Sequence, residues 1–81
     1  MSDKWEDLKS QGMEHYKTGK IEPIDLYKSS GILRPFALGN IIKYAFRNAD
    51  LSKPMNIKDL EKVIHYANML LVLADEEKDQ K

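Results

Sequence analysis

The chain has 81 residues, and its thirteen Lys and Arg residues balance thirteen Asp and Glu residues. A neutral chain has no global field that would draw it to bulk nucleic acid or to an acidic membrane, so any anion binding must come from a local cluster. The absence of cysteine excludes a disulfide framework and a thiolate metal site. The first residues lack the apolar core of a signal sequence and no run could span a bilayer, so we expect a cytoplasmic protein with no membrane partner.

The N-terminal part of the chain is predicted to form a short helix followed by a loop. Ser2 can cap this helix, and Gly12 ends it. Residues 13–20 contain the turn-rich sequence Thr-Gly-Lys and show no helical period of apolar residues. His15 and Tyr16 therefore fall on a connecting segment, where binding groups are often found.

Two helices are predicted in the middle of the chain. The first begins around Pro23, whose missing N–H costs nothing in a first turn, and ends at Gly31. Residues 32–36 are predicted to link it to the next helix, because Pro35 biases Arg34 toward an extended conformation. The following helix contains residues 39–47, and residues 51–55 form a loop.

The last helix is predicted to be the longest, from the N-cap Asn56 to about Glu77. Its predicted inward stripe consists of Ile57, Leu60, Ile64, Ala67 and Leu71. Residues 69–74 are apolar on every side, and a helix that is apolar all round is normally buried all round. Because a chain this small can cover only one face, we expect a homo-oligomer assembled through this C-terminal helix.

These elements predict an all-α fold in a single domain that spans residues 1–81. It is a small bundle of three main helices plus a short N-terminal helix, with a long C-terminal helix. Residues 1–12 form the N-terminal helix segment, and residues 75–81 are a tail that should fray.

One stripe of the central helix has the composition of an anion site. Asn40, Lys43, Tyr44 and Arg47 fall at i, i+3, i+4 and i+7, which places them on one face. This stripe carries two cations, an amide and a phenol but no carboxylate, and such groups suit phosphate, sugar and base. The alternative is a solvated face whose carboxylate partners lie on a neighbouring helix.

Groups from other segments could complete such a site. Lys62 and Tyr66 are spaced i, i+4 on the last helix, and Lys62 could join in neutralising a phosphate. Glu22 or Asp59 could hold a cation or a sugar hydroxyl, and His15 has an unperturbed pKa near neutrality that suits proton transfer. The alternative is that the tyrosines are half-buried packing residues and that His15 bonds within a turn.

Common catalytic motifs are missing from the sequence. The Thr-Gly-Lys at 18–20 has the wrong order for a P-loop and no preceding strand. Two acid-containing pairs have spacings that could bind a metal, but each is better explained within one helix, so no metal site is predicted. These pairs are Glu61 with His65 and Glu22 with Asp25.

The order of the motifs resembles a family of small bacteriophage proteins. The matching segments are His15-Tyr16, Ile-Glu-Pro-Ile-Asp at 21–25, Gly-Asn-Ile-Ile-Lys-Tyr at 39–44 with Arg47, and Asp-Leu-Glu-Lys at 59–62 with Tyr66. Members are described as phage nucleotide kinase-like proteins or as a domain of unknown function. The resemblance runs from Met13 to Tyr66, and it assigns residues 13–74 to a family core.

Two departures from the family pattern stand out. Members often carry a lysine-rich run after the arginine, where this chain has Asn-Ala-Asp-Leu-Ser-Lys at 48–53. This difference removes positive charge from the loop, so the loop is not expected to help bind a phosphate. Members also tend to have alanine where this chain has Val63, which is a conservative packing change.

The resemblance implies a phage nucleotide-binding protein in the cytoplasm of an infected bacterial host. Lys43, Arg47 and Lys62 would hold phosphates. The other predicted ligand-binding residues are Tyr16, Asn40, Tyr44 and Tyr66, of which Asn40 and Tyr44 would contact base or sugar. If the protein is an enzyme, it is a nucleoside monophosphate kinase-like phosphotransferase without a P-loop, with ATP as phosphoryl donor and with His15 and Glu22 as catalytic residues.

Two alternatives keep the same residues but change the task. One is non-catalytic sequestration of a host signalling nucleotide. The other is protein–protein inhibition of a host enzyme, with the apolar C-terminal helix as the working surface. The sequence leaves open the identity of the nucleotide, the metal requirement and the host partner.

Overall fold

A computed structural model describes residues 3–12 and 21–79 of the chain. Four helices occupy these residues: α1 (Asp3–Gly12), α2 (Pro23–Ser29), α3 (Leu33–Phe46) and α4 (Ile57–Asp79). The described part contains no strand, so the predicted all-α class with a long C-terminal helix is confirmed. None of the described helices is both long and apolar enough to cross a membrane.

Local sequence signals set several helix ends where they were predicted. Pro23 is the first residue of α2, and the Asp25 carboxylate accepts a hydrogen bond of 2.8 Å from the Glu22 backbone N–H just before it. Past the end of α2, Gly31 adopts a φ of 87°, which a residue with a Cβ adopts only at a cost. At the start of α4, the Asn56 side chain accepts the Asp59 N–H at 3.0 Å, as expected for an N-cap.

The predicted linker at residues 32–36 is wrong. The helix α3 already begins at Leu33, and both Arg34 and Pro35 belong to its first turn. Proline is tolerated there because the N–H groups of a first turn have no partner within the helix. Leu33 is completely buried, so the helical start of α3 places a core residue.

The core lies where α1, α3 and α4 meet. It contains Trp5 and Leu8 from α1, Leu33 from α3, and Met69 and Val72 from α4. One end of α3 thus packs near the C-terminal half of α4. At the other end, Arg47 contacts Asp59 near the start of α4, so the two helices run in opposite directions.

The predicted inward stripe of α4 is also wrong. Ile57, Ile64 and Leu71 have exposed fractions of 68%, 59% and 64%, and they face away from the core. Met69 and Val72 are buried instead, so residues 69–74 are covered on one side within the chain. The sequence offered two apolar faces on this helix, and the residues of α1 and α3 decided which one was buried.

A partly buried cluster of polar and charged side chains joins α1 to α2. The Trp5 indole N–H donates to Asp25 Oδ1 at 2.8 Å, and Lys9 Nζ lies 3.0 and 2.8 Å from the two carboxylate oxygens. Only 2% of the Lys9 side chain is exposed, and Glu6 lies 3.4 Å from its Nζ. Burial acts to lower the pKa of Lys9, but hydrogen bonds and attraction from Asp25 and Glu6 outweigh it and raise this pKa.

Candidate functional site

The helices α3 and α4 bring three cations around one tyrosine. Lys43 Nζ, Arg47 Cζ and Lys62 Nζ lie 4.9, 5.0 and 5.1 Å from the centroid of the Tyr44 ring. We call these four residues the Tyr44 cation cluster. All four were predicted site residues, and the antiparallel packing of α4 on α3 supplies Lys62.

An aromatic row connects this cluster to the core. The Tyr66 ring lies parallel to the Tyr44 ring, with an interplanar angle of 8° and centroids 6.3 Å apart. Phe36 packs edge-on against Tyr66 at 5.9 Å, and Tyr27 follows at 4.7 Å from Phe36. Burial, together with the neighbouring Tyr44, raises the pKa of Tyr66, so its hydroxyl stays protonated at neutral pH and can donate a hydrogen bond.

The charge of the cluster is only partly balanced within the described residues. Arg47 Nη1 lies 3.4 Å from Asp59 Oδ1, which is long for a charge-assisted hydrogen bond. The Arg47 side chain remains 55% exposed in that contact. Among the same described residues, neither Lys43 nor Lys62 has a carboxylate within ion-pair distance. The alternative prediction, a solvated face whose cations have carboxylate partners on a neighbouring helix, therefore holds within the described residues for Arg47 alone among the three cations.

Asn40 lies on the same stripe but bonds within its own helix. Its Nδ2 donates to the Phe36 backbone carbonyl at 2.9 Å, four residues earlier. One of the two amide N–H donors that sequence reasoning assigned to a base or sugar is thus engaged by α3 in this structure.

The predicted catalytic residues are not joined to the cluster. Glu22 is buried at the start of α2, and its backbone groups bond with Asp25 in the first turn of that helix. It makes no hydrogen bond or ion pair with the three cations in the described part of the chain. His15 and the predicted ligand-binding Tyr16 lie outside the described residues.

A second polar region, at the other end of the bundle, was missed by sequence reasoning. It is a cleft of about 640 Å³ whose walls include Trp5, Lys28, Arg34, Leu73 and Glu76. Lys28 Nζ lies 3.0 Å from Glu76 Oε2 and 4.8 Å from the centroid of the Trp5 ring. Its cation is therefore paired within the chain, which makes this cleft a weaker anion site than the Tyr44 cation cluster. No local sequence signal could have found it, since it joins residues 48 positions apart.

Metal-binding groups do not gather in the described residues. They contain no set of three His, Cys, Asp or Glu side chains that could hold an ion. His65, one half of a spacing considered above, is half-buried, and burial lowers its pKa.

Comparison with known proteins identifies the family. A family model described as a protein of unknown function (DUF3310) matches residues 10–68. The chain therefore belongs to the DUF3310 family. The matched region contains α2, α3, the first half of α4 and the whole Tyr44 cation cluster. Searches of curated proteins and of solved structures each found no match.

Proposed function

We propose that the protein binds a phosphate-bearing nucleotide at the Tyr44 cation cluster. The observation that carries this proposal is the placement of three cations about 5 Å from one tyrosine ring. Any two of these charged groups lie within about 10 Å of each other, close to the distance over which charges act at physiological salt. They repel one another, and an anion bound between them would relieve that repulsion.

Phosphate suits this arrangement better than a single carboxylate does. A phosphate group offers several oxygens to cations that approach from two helices, and a lysine–arginine pair on one stripe can serve them from one side. The parallel Tyr44 and Tyr66 rings supply flat surfaces next to the cations, and a base can stack on such rings. A nucleotide combines both features in one ligand.

The phage origin and the kinase-like activity implied by the sequence resemblance belong to the same proposal. In its enzymatic form the protein transfers a phosphoryl group from ATP to a nucleoside monophosphate, with His15 and Glu22 as catalytic residues. The burial of Glu22 and its lack of contact with the three cations in the described residues favour binding without turnover, since a catalytic carboxylate must reach the reacting atoms. Incubation with ATP and nucleoside monophosphates, followed by chromatography, separates the two forms.

The test of binding is a thermal-shift screen with mono-, di-, tri- and cyclic nucleotides and with inorganic phosphate. A ligand that binds the folded state alone raises the unfolding midpoint. Titration calorimetry then compares the unmodified chain with Lys43→Ala, Arg47→Ala and Lys62→Ala. Loss of one charge-assisted contact should weaken binding about tenfold.

Lys58→Ala is the matched control. Lys58 is an exposed lysine on α4, one helical turn before Lys62, and it is not among the cations around Tyr44. We expect its affinity to stay close to that of the unmodified chain. Equal affinity in all four variants, or no ligand in the whole screen, would return the stripe to the status of a solvated face.

A further inference from the structure

The outer face of α4 carries a row of apolar residues, most of which are exposed to solvent. Ile57, Ile64 and Leu71 are each at least 59% exposed. Leu60 and Ala67 lie half-buried between them, and Ala74 continues the row as an exposed residue. We call these six residues the α4 seam.

The spacing of the α4 seam is that of a helix that pairs with another helix. Its members follow one another at intervals of three, four, three, four and three residues, which is the a and d pattern of a heptad repeat. Such a row keeps facing one partner along the length of a helix. A flat or irregular partner surface does not require this regular spacing, whereas a helical partner with the same spacing matches it, and the α4 helix of a second copy is such a partner.

The charges of α4 itself select the relative direction of the two helices. Residues 57–62 contain two lysines against two acidic residues, whereas residues 63–79 contain four acidic residues against one lysine. Parallel pairing would place the two acidic ends side by side. Antiparallel pairing places the acidic end of one copy beside the neutral end of the other, and it also sets the two helix dipoles antiparallel, which is the favourable arrangement.

We propose that two copies of this chain associate through their α4 seams in antiparallel orientation. One register then matches every layer: Ile57 lies opposite Ala74 of the second copy, Leu60 opposite Leu71, and Ile64 opposite Ala67. Two of these layers pair a large side chain with a small one, which lets the helices approach closely. The Tyr44 cation cluster lies outside this seam and stays accessible in the dimer.

Light scattering at micromolar concentration tests the association. The unmodified chain is expected at twice the mass of one chain. The double variant Ile64→Glu with Leu71→Glu should fall to the mass of one chain. The matched control, Leu38→Glu with Ile42→Glu, changes two exposed apolar residues of α3 and should remain a dimer. A single-chain mass for the unmodified protein, or loss of the dimer in the control alone, overturns the proposal.

Cysteine cross-linking tests the orientation without placing charge in the seam. The chain has no cysteine of its own, so each introduced thiol reports one position. A mixture of Ile57→Cys and Ala74→Cys chains should form disulfide-linked heterodimers under mild oxidation, whereas Ile57→Cys alone should not. Cross-linking of Ile57→Cys with itself, in preference to the mixed pair, would show parallel or different packing and overturn the antiparallel arrangement.

Discussion

Removing the negative charge of Asp25 should loosen the attachment of α1. Its carboxylate accepts hydrogen bonds from Trp5, from Lys9 with both oxygens, and from the Glu22 backbone N–H, all between 2.8 and 3.0 Å. In Asp25→Asn, one oxygen remains to accept these bonds and an NH₂ group replaces the other. The NH₂ group faces hydrogen-bond donors and cannot accept from them. The contact with Lys9 is weakened most, because it also loses the attraction between opposite charges.

The size of the effect follows from the burial of Lys9. Breaking a buried ion pair by removing one partner costs about 3–5 kcal/mol. Lys9 keeps Glu6 at 3.4 Å, and the Asp25 side chain is 22% exposed, so we expect a smaller loss of about 2–3 kcal/mol. A loss of this size is a large fraction of the stability of so small a domain.

Urea unfolding followed by tryptophan fluorescence measures this loss, because Trp5 is the only tryptophan of the chain and bonds directly to Asp25. Circular dichroism provides a second probe that reports all helices. Glu61→Gln is the control, since it makes the same carboxylate-to-amide change at an exposed position of α4. Its free energy of unfolding should change by less than about 0.5 kcal/mol.

The lowered pKa of Asp25 also predicts how the effect of Asp25→Asn on stability changes with pH. Partial burial acts to raise the pKa of Asp25, but hydrogen bonds from Lys9, Trp5 and the Glu22 backbone lower it below its ordinary value of 3.8. Because the pKa of Asp25 is lower in the folded state than in the unfolded state, ionised Asp25 stabilises the protein at pH values above its ordinary pKa. This stabilisation is lost as the pH falls through the pKa of the folded state. The gap between the unmodified chain and Asp25→Asn should therefore narrow in acid. A gap that is absent at neutral pH, or unchanged in acid, would refute the reasoning.

Three further predictions concern stability and binding. Thermal unfolding should show Gly31→Ala destabilised by about 1 kcal/mol, since the φ of Gly31 is 87°. Gly39→Ala should be stabilised by about 0.5–1 kcal/mol, since Gly39 lies within a helix and an added Cβ would meet no atom within 4 Å. The opposite order of stabilities would contradict the backbone conformation of these two glycines. Leu33→Ala should cost about 2–5 kcal/mol in urea titrations, because this residue is fully buried, and a cost below about 1 kcal/mol would place it outside the core. Nucleotide affinity measured by calorimetry should fall as salt rises, whereas a flat response would indicate an apolar pocket.

The sequence by itself determined the helical class and several helix ends. Pro23, Gly31 and Asn56 act within one or two turns of their own position, so their effect is the same in any surrounding fold. The stripe of Lys43, Tyr44 and Arg47 was equally local, because helical periodicity alone places these residues on one face. Helical periodicity therefore predicted three of the four members of the Tyr44 cation cluster, and it predicted that they lie together.

Tertiary structure decided the features that depend on more than one helix. Lys62 joins the cluster only because α4 runs back along α3. The burial of Lys9 depends on Asp25, which lies 16 positions away along the chain. The face of α4 that turns inward was set by the surfaces of α1 and α3, since both of its faces are apolar enough to be buried. Periodicity reports that a helix has an apolar face, but the neighbours that cover this face are fixed by packing between distant residues, and that information is absent from any short stretch of the chain.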